Sequence, residues 1–307
     1  MLADGCFVGL FTAVKKQKRG GSAMVPGAFN YHRPDSVDGI VALLGEWGDD
    51  ARVIAGGHSL IPVMKQRLTD ISHLIDLGGV DGLKGISTDG DTVTIGAMTT
   101  QHELITSDTL YNVAPIIREA SLQIADPQVR YVGTIGGNVA NGDPANDMPG
   151  LMQTLDATYH LAGPNGSRTV AAREFYEAAY FTAREDDEIM TALSFSATSG
   201  GYAYEKQKRK IGDYATAAAG VLLTIDGGVC SSASVALTNL SDTPVYCEAA
   251  VDVLVGSSVD DAAIAEAVKA AVDASDPVAD TRGPVDFKKY VAGVIVKRAI
   301  HSARSRA

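Results

Sequence analysis

Residues 134–150, TIGGNVANGDPANDMPG, carry almost no bulky side chains, and their polar members are Asn, Asp and Thr. Bare backbone of this kind serves where main-chain groups must approach something closely, because glycine lacks the Cβ that would stand in the way. A second stretch of the same character, VIAGGHSLIP, occupies 53–62. Each sets a Gly-Gly pair in a turn beside a hydroxyl residue, Ser59 in one and Thr134 in the other. Gly56, Gly57, Gly136 and Gly137 permit backbone angles that let N–H groups converge on an anion. A helix capped by Ser59, with Pro62 in its first turn, adds a favourable dipole. A diphosphate fits that description, and a plain structural turn is the competing reading of either loop alone. Each charge-assisted hydrogen bond contributes on the order of 1.5–3 kcal/mol, so two converging cradles would retain a dinucleotide without any arginine. No G-x-G-x-x-G follows a strand and no G-x-x-x-x-G-K-[ST] is present, so the common nucleotide folds lack their defining spacing.

The rest of the chain bounds what those loops can serve. A length of 307 residues allows about two domains. Hydrophobic residues make up 46% and aromatics 6%, which describes an aliphatic interior. A net charge of −11 disfavours general nucleic-acid binding, so an anionic cofactor must be held locally. Cys6, Cys230 and Cys247 are scattered with no C-x-x-C spacing, which argues against a disulfide framework, a zinc site or a cysteine-ligated iron–sulfur cluster in this chain and suits a cytoplasmic setting. The apolar run 6–14 is too short to span a bilayer, and its basic cluster follows it rather than preceding it, unlike a secretory signal. Residues 1–23 read as a poorly ordered extension before the domain that opens at Met24.

Along the chain, the patterns predict a helix over 36–47, a strand over 52–55, a helix over 59–68 and short strands in HLIDL and TVTIGAM. Helices near 101–107 and 115–124 then lead into the glycine-rich loop. MPGLMQTLDA reads as a short helix, and ATYHLAG with SRTVAA as a hairpin around Pro164-Asn165-Gly166. Beyond Ser199-Gly200-Gly201 the style changes to longer β runs, then to helices whose stripes include Ile264, Val268, Ala271 and Val272, and Val291, Val294, Ile295 and Ile300. The boundaries expected are 1–23, 24–200 and 201–307. Lys206, Lys208, Arg209 and Lys210 read as a solvated strand or partner-facing edge, and the terminal Lys297, Arg298, Arg304 and Arg306 as a solvated helix end.

AGGHSLIPVMKQRL (55–68), TIGAMTTQHEL (94–104), TIGGNVANGDPANDMPGLMQTLDA (134–157) and GYAYEKQKRKIGDYATAAA (201–219) together resemble the FAD-binding medium subunits of molybdenum hydroxylases, the xanthine dehydrogenase family, and most closely its aerobic carbon monoxide dehydrogenase branch. The resemblance runs from about Met24 to the C-terminus. It implies an α+β fold: a two-part FAD-binding domain of the PCMH/vanillyl-alcohol-oxidase type, then a smaller domain with an antiparallel sheet and helices.

By the same resemblance, Ala55, Gly56, Gly57, His58 and Ser59 would wrap the FAD diphosphate, and Thr134, Ile135, Gly136, Gly137 and Asn138 would form the second wall. Val53, Ile54, Leu60 and Ile61 would line the cofactor. Asn141 and Asp147 would reach its sugar or ribitol hydroxyls, with an N-cap role as the other reading of Asp147. Tyr214 would lie beside the isoalloxazine, with Asp213 and Thr216 near it. No side chain is expected to act as acid or base, because the flavin carries the redox chemistry. A large subunit with a molybdenum–pterin cofactor and a small subunit with [2Fe–2S] clusters are the implied partners, in a dimer of heterotrimers. Electrons would pass from the clusters to FAD and on to a quinone or other acceptor, in the cytoplasm or at the inner face of its membrane. The alternatives are a medium subunit for nicotine, aldehyde or purine oxidation, a stand-alone flavin oxidase, and a scaffold that has lost FAD. The intact glycines and Asn138 argue against the last.

Overall fold

The computed structural model describes residues 24–307; the N-terminal extension expected at 1–23 lies outside the described residues. The chain begins with β1 (Asn30–His32), α1 (Val37–Trp47), β2 (Ala51–Ile54), α2 (Leu60–Lys65) and β3 (His73–Asp76). These strands form a parallel sheet in the order β1-β3-β2. Ser36 caps α1 by accepting from the Gly39 N–H, and Ile40, Val41 and Leu44 turn its apolar stripe onto the sheet.

The second lobe holds β4 (Ile86–Asp89), β5 (Thr92–Gly96), α3 (Gln101–Thr106), α4 (Asp108–Val113), α5 (Pro115–Ser121), α6 (Pro127–Arg130), α7 (Ile135–Ala140), α8 (Asp147–Thr154), β6 (Thr158–Gly163), β7 (Gly166–Ala171), β8 (Tyr176–Ala178), β9 (Phe181–Thr182) and β10 (Ile189–Ser196). Its main sheet runs β4-β5-β10-β6-β7, antiparallel throughout, and the hairpin expected around Pro164-Asn165-Gly166 joins β6 to β7. Thr100 and Glu103 form a capping box that starts α3. The core centres on Tyr159, Phe175, Leu104, Ile116, Ile117 and Met152.

An antiparallel sheet follows: β11 (Gly201–Gln207), β12 (Ala217–Asp226), β13 (Val229–Thr238) and β14 (Val245–Tyr246), covered by α9 (Glu248–Leu254), α10 (Asp261–Asp273) and α11 (Val285–Arg304). The helical stripes fall close to where periodicity put them: Ile264, Ala271, Val291, Ile295 and Ile300 are buried, while Val268, Val272 and Val294 are half-buried. No helix among the described residues is long and apolar enough to cross a membrane.

Helix α8 joins the two halves. Every one of its residues is buried, between the second lobe and the C-terminal sheet. A Cβ on Gly150 would strike Thr238, and one on Gly220 would strike Thr154, so small residues set how closely helix and sheet approach. Ser234 completes the contact by donating to the Thr154 carbonyl at 2.7 Å.

Three local expectations need correction. The stretch 134–150 is not one loop, because α7 occupies its first half and α8 begins in its second. The helix expected over 59–68 stops at Lys65, where Gln66 closes the last turn and Arg67 takes a positive φ of 53°. The basic end of α11 is only partly solvated. Lys297, Arg298 and Arg306 are exposed, but Arg304 is half-buried and donates to the Val259 carbonyl at 2.7 Å.

One ion pair braces the β6–β7 end of the second lobe. Arg168 donates from Nε and Nη2 to the two Glu188 oxygens at 2.6 and 2.7 Å. That hydrogen bonding holds the Glu188 carboxyl below the usual carboxylate range. A depressed folded-state value stabilises the fold above the unfolded value, near 4.3, and the contribution disappears as pH falls through the lower folded value. Glu188→Gln is expected to cost about 2 kcal/mol at pH 7. In urea melts the gap from the parent protein should close below about pH 4; a gap independent of pH would mean that the charge contributes nothing.

Candidate functional site

The two glycine corners, separated by nearly eighty positions, touch. A Cβ on Gly56 would run into the Val132 carbonyl oxygen and stand 2.8 Å from Gly133 Cα. One on Gly137 would lie 3.5 Å from the Ala55 Cβ. The His58 ring borders the same junction, 3.7 Å from where a Cβ on Gly133 would be. The α6–α7 connection holds its side of the junction through hydrogen bonds from Gln101 N–H to the Gly133 carbonyl and from Ile135 N–H to the Thr99 carbonyl, each 2.9 Å.

The corners differ in what they offer. In the first, Gly57 takes a left-handed φ of 73°, which turns the chain from β2 into α2. The N–H groups of Gly56, Gly57, His58, Ser59 and Leu60 find no acceptor among the described residues. Successive unpaired N–H groups around such a corner make a concave anion site, a nest. Ser59 stands at the N-cap position as expected, yet its backbone is already helical (φ −93°, ψ −46°) and its side chain makes no cap bond. The hydroxyl therefore does not consume a nest donor.

In the second corner the donors are spent. Thr134 caps α7, accepting from Gly137 N–H at 3.1 Å, and its carbonyl accepts from Asn138 N–H. Gly136 N–H bonds the Ala97 carbonyl at 2.8 Å, and a Cβ there would lie 2.5 Å from the Ala97 Cβ. The sequence reading of two equivalent cradles is thus corrected: Gly136 is needed for packing against Ala97, while Gly137 presents bare, exposed backbone opposite the nest. The physical reason is that 135–140 is helical, and a helix start with a side-chain cap and tertiary acceptors leaves few N–H groups over. Asn138 keeps a buried Oδ1 with no partner among the described residues, an acceptor available to a ligand hydroxyl or amine.

The flanking candidates divide by what their side chains do. Val53 and Ala55 pack onto the core of the first lobe, and Ile54 and Leu60 onto Met64, Ile71 and Leu74. Ile61 is partly exposed and, with Ile54, fills the hollow under Gly57. Asn141 closes α7 as its C-cap. Beyond it, Asn146 donates from Nδ2 to the Asn138 carbonyl at 2.9 Å, tying the start of α8 to the second corner.

Asp147 is not the N-cap of α8; Asn146 holds that position and Asp147 is the first helical residue. Its carboxylate accepts from the Tyr204 hydroxyl and from Lys206 Nζ, both at 2.7 Å. The Lys206 side chain is 1% exposed, so the solvated-strand reading of the 206–210 run fails at its first member. Strand alternation explains it: Tyr204 and Lys206 share one face of β11, and that face packs on α8. Burial pushes the Asp147 carboxyl up, against the opposing pull of the Lys206 ammonium and the two hydrogen bonds. No sequence signal distinguished Lys206 from its neighbours beyond that alternation.

Tyr214 lies half-exposed on the 208–216 loop. Asp213 is buried, accepts from Arg209 Nε at 2.9 Å and receives the Tyr214 N–H. Thr216 is also buried, and Asn239 fixes the segment by donating to the Ala215 and Thr216 carbonyls. Tyr180, Asp143 and Arg282 border Tyr214 and went unnoticed in the sequence, because each comes from a different distant segment.

Among the described residues no group of three His, Cys, Asp or Glu side chains is arranged to hold a metal ion. The chemistry available is anion capture by the nest, hydroxyl recognition around Asn138 and an aromatic face at Tyr214. An elongated ligand with a central diphosphate, hydroxyl groups beside it and a planar ring at one end suits these features, and FAD, whose diphosphate joins adenosine to the ribitol and isoalloxazine, has that shape.

Comparison with known proteins bears on the same conclusion. Residues 27–195 match the family model described as the FAD binding domain in molybdopterin dehydrogenase, and residues 202–303 match the CO dehydrogenase flavoprotein C-terminal domain. The chain is 56% identical over 286 residues to the carbon monoxide dehydrogenase medium chain of Afipia carboxidovorans, covering 92% of this chain and 99% of that one. It is 44% identical over 285 residues to the corresponding chain of Hydrogenophaga pseudoflava, covering 92% and 99%. A chain in the structure of reconstituted CO dehydrogenase from Oligotropha carboxidovorans superposes with a TM-score of 0.91 at 56% identity, covering 92% of this chain and 100% of that one.

Proposed function

The chain belongs to the FAD-binding flavoprotein subunits of the molybdenum hydroxylases, and from that premise we propose that it is the medium subunit of an aerobic carbon monoxide dehydrogenase. The observation that carries this reading is 56% identity sustained across 92% of the chain to a medium chain of that enzyme. When bound, FAD supplies the redox chemistry, linking the [2Fe–2S] clusters of a small subunit to an external acceptor. Carbon monoxide would be oxidised at the molybdenum–pterin cofactor of a large subunit.

The residues of this chain hold and orient the cofactor. In the reading we favour, the Gly56–Leu60 nest takes the diphosphate through main-chain donors, and Gly137 leaves room on the opposite wall. Asn138 and Asn141 meet the sugar or ribitol hydroxyls. The engagement of Asp147 with Lys206 and Tyr204 makes it the support of that wall as well as a candidate contact. Tyr214 covers the isoalloxazine and limits its access to water. We assign residues 24–200 to cofactor binding and 201–307 to the C-terminal flavoprotein domain. The quinone acceptor, the dimer of heterotrimers and a place in the cytoplasm at the inner face of its membrane complete the proposal.

The test is purification of the native complex, identification of its subunits by mass spectrometry and addition of CO under anaerobic conditions. Bleaching of the visible absorbance of the flavin is expected. An active complex whose flavin spectrum ignores CO would remove the substrate assignment and leave the family.

A further inference from the structure

Four segments far apart in sequence meet around the Tyr214 ring. Arg282, in the turn before α11, sets its guanidinium carbon 5.5 Å from the ring centroid. That turn is rigidly held: Asp280 accepts from the Arg282 N–H at 2.7 Å and from the buried Lys288 ammonium at 2.9 Å. The Arg282 side chain is itself 18% exposed; its Nη1 makes a long 3.5 Å contact with the Asp280 carboxylate, and its Nε is buried without a hydrogen-bond partner among the described residues. From the other side, Arg209 bridges Asp213 beside Tyr214 to the Thr281 carbonyl, stapling the tyrosine loop to the arginine turn. Tyr180 completes the ring of neighbours. It adopts a left-handed φ of 64°, unfavourable for an aromatic residue, while its N–H donates to the Gly142 carbonyl at 2.8 Å. Asp143 neighbours both phenols; burial and Asp143 together push the Tyr180 hydroxyl up to about 12.

An arginine largely withdrawn from water, with a donor left unmatched, needs a reason to be kept. A 3.5 Å contact to an Asp280 carboxylate shared with Lys288 and one tyrosine face leave its Nε unmatched, and a largely buried donor without an acceptor is costly. We propose that Arg282 is a positioning residue for the flavin, fixing the Tyr214 ring by a cation–π contact and placing a positive charge beside the isoalloxazine. The inference rests on the reading that Tyr214 lies beside that ring. A cation there favours the electron-rich reduced flavin over the oxidised one and so raises its potential.

The experiment uses the full chain loaded with FAD and the assembled complex, and reads FAD occupancy, flavin fluorescence and the flavin midpoint potential. Arg282→Gln is expected to keep full FAD occupancy, because the Gly56–Leu60 nest is untouched. Its preference for reduced over oxidised flavin should fall about tenfold, ~30 mV for a two-electron couple. Fluorescence should rise as the tyrosine ring loosens its contact. Arg282→Lys keeps the charge but not the flat face, and should recover most of the potential.

If Arg282→Gln lowers only the melting temperature and leaves potential and fluorescence at parent values, the arginine is structural and the proposal is overturned. Failure of Arg282→Lys to recover the potential overturns the charge argument equally. Tyr214→Ala separates the two layers. Should that variant also leave both flavin readouts unchanged, the placement of Tyr214 beside the ring falls, and the inference with it. A shift in Tyr214→Ala with none in Arg282→Gln overturns the role of Arg282 alone.

Discussion

Gly56→Ala is expected to abolish FAD retention while leaving the C-terminal sheet folded. The added methyl would run into the Val132 carbonyl oxygen and Gly133 Cα, both main-chain atoms that cannot swing aside as a side-chain tip can. One corner must then withdraw from the other, and the nest from Gly56 to Leu60 loses its aim. Two misdirected charge-assisted hydrogen bonds, at about 1.5–3 kcal/mol each, correspond to a loss of affinity on the order of 100-fold or more. Isothermal titration of the FAD-free protein measures the loss directly. Far-UV circular dichroism guards against the trivial outcome, since the core built on Val221, Leu237, Ile264 and Ile295 lies in the other half of the chain. Unchanged FAD affinity in a folded Gly56→Ala protein would show that the diphosphate is held elsewhere.

The second large effect concerns the buried pair on which α8 and β11 meet. Lys206→Met leaves the Asp147 carboxylate 4% exposed with only the Tyr204 hydroxyl as partner. Removing one member of a buried pair strands the other charge, at a cost of about 3–5 kcal/mol. The side chain removed also donates to the Gln123 carbonyl at 3.3 Å, so the junction of α5, α8 and β11 loosens as a whole. A drop in melting temperature of roughly 6–15 °C follows for a chain of this size. Adding Asp147→Asn to Lys206→Met should restore most of the loss, because a neutral amide tolerates burial beside Tyr204 far better than a lone carboxylate. If the double variant melts no higher than Lys206→Met, the pair is not coupled as its geometry indicates.

The local chemistry of the first corner was plain in the sequence, since AGGHS after a β-branched run combines a turn with glycine freedom in five consecutive residues. The same holds for the hairpin around Pro164-Asn165-Gly166, the helix α1 and the apolar faces of α10 and α11, which repeat at the spacing of the element that forms them. Resemblance across four quoted motifs supplied the family and the α+β architecture, and the matches over residues 27–195 and 202–303 agree. The second corner was harder to read. TIGGN looks like a turn because glycine weakens helices, yet the Thr134 cap and acceptors from Thr99 and Ala97 make a helix of it.

What the sequence determined by itself was therefore set by near neighbours: turns, periodic faces, the acidic balance and the motif order. Tertiary structure alone decided that Gly56 lies against Gly133, that Lys206 turns inward to Asp147 while Arg209 turns outward, and that Arg282 rests over Tyr214. Those contacts join residues tens of positions apart, and their energies depend on burial and mutual orientation, which no local pattern of residue types encodes.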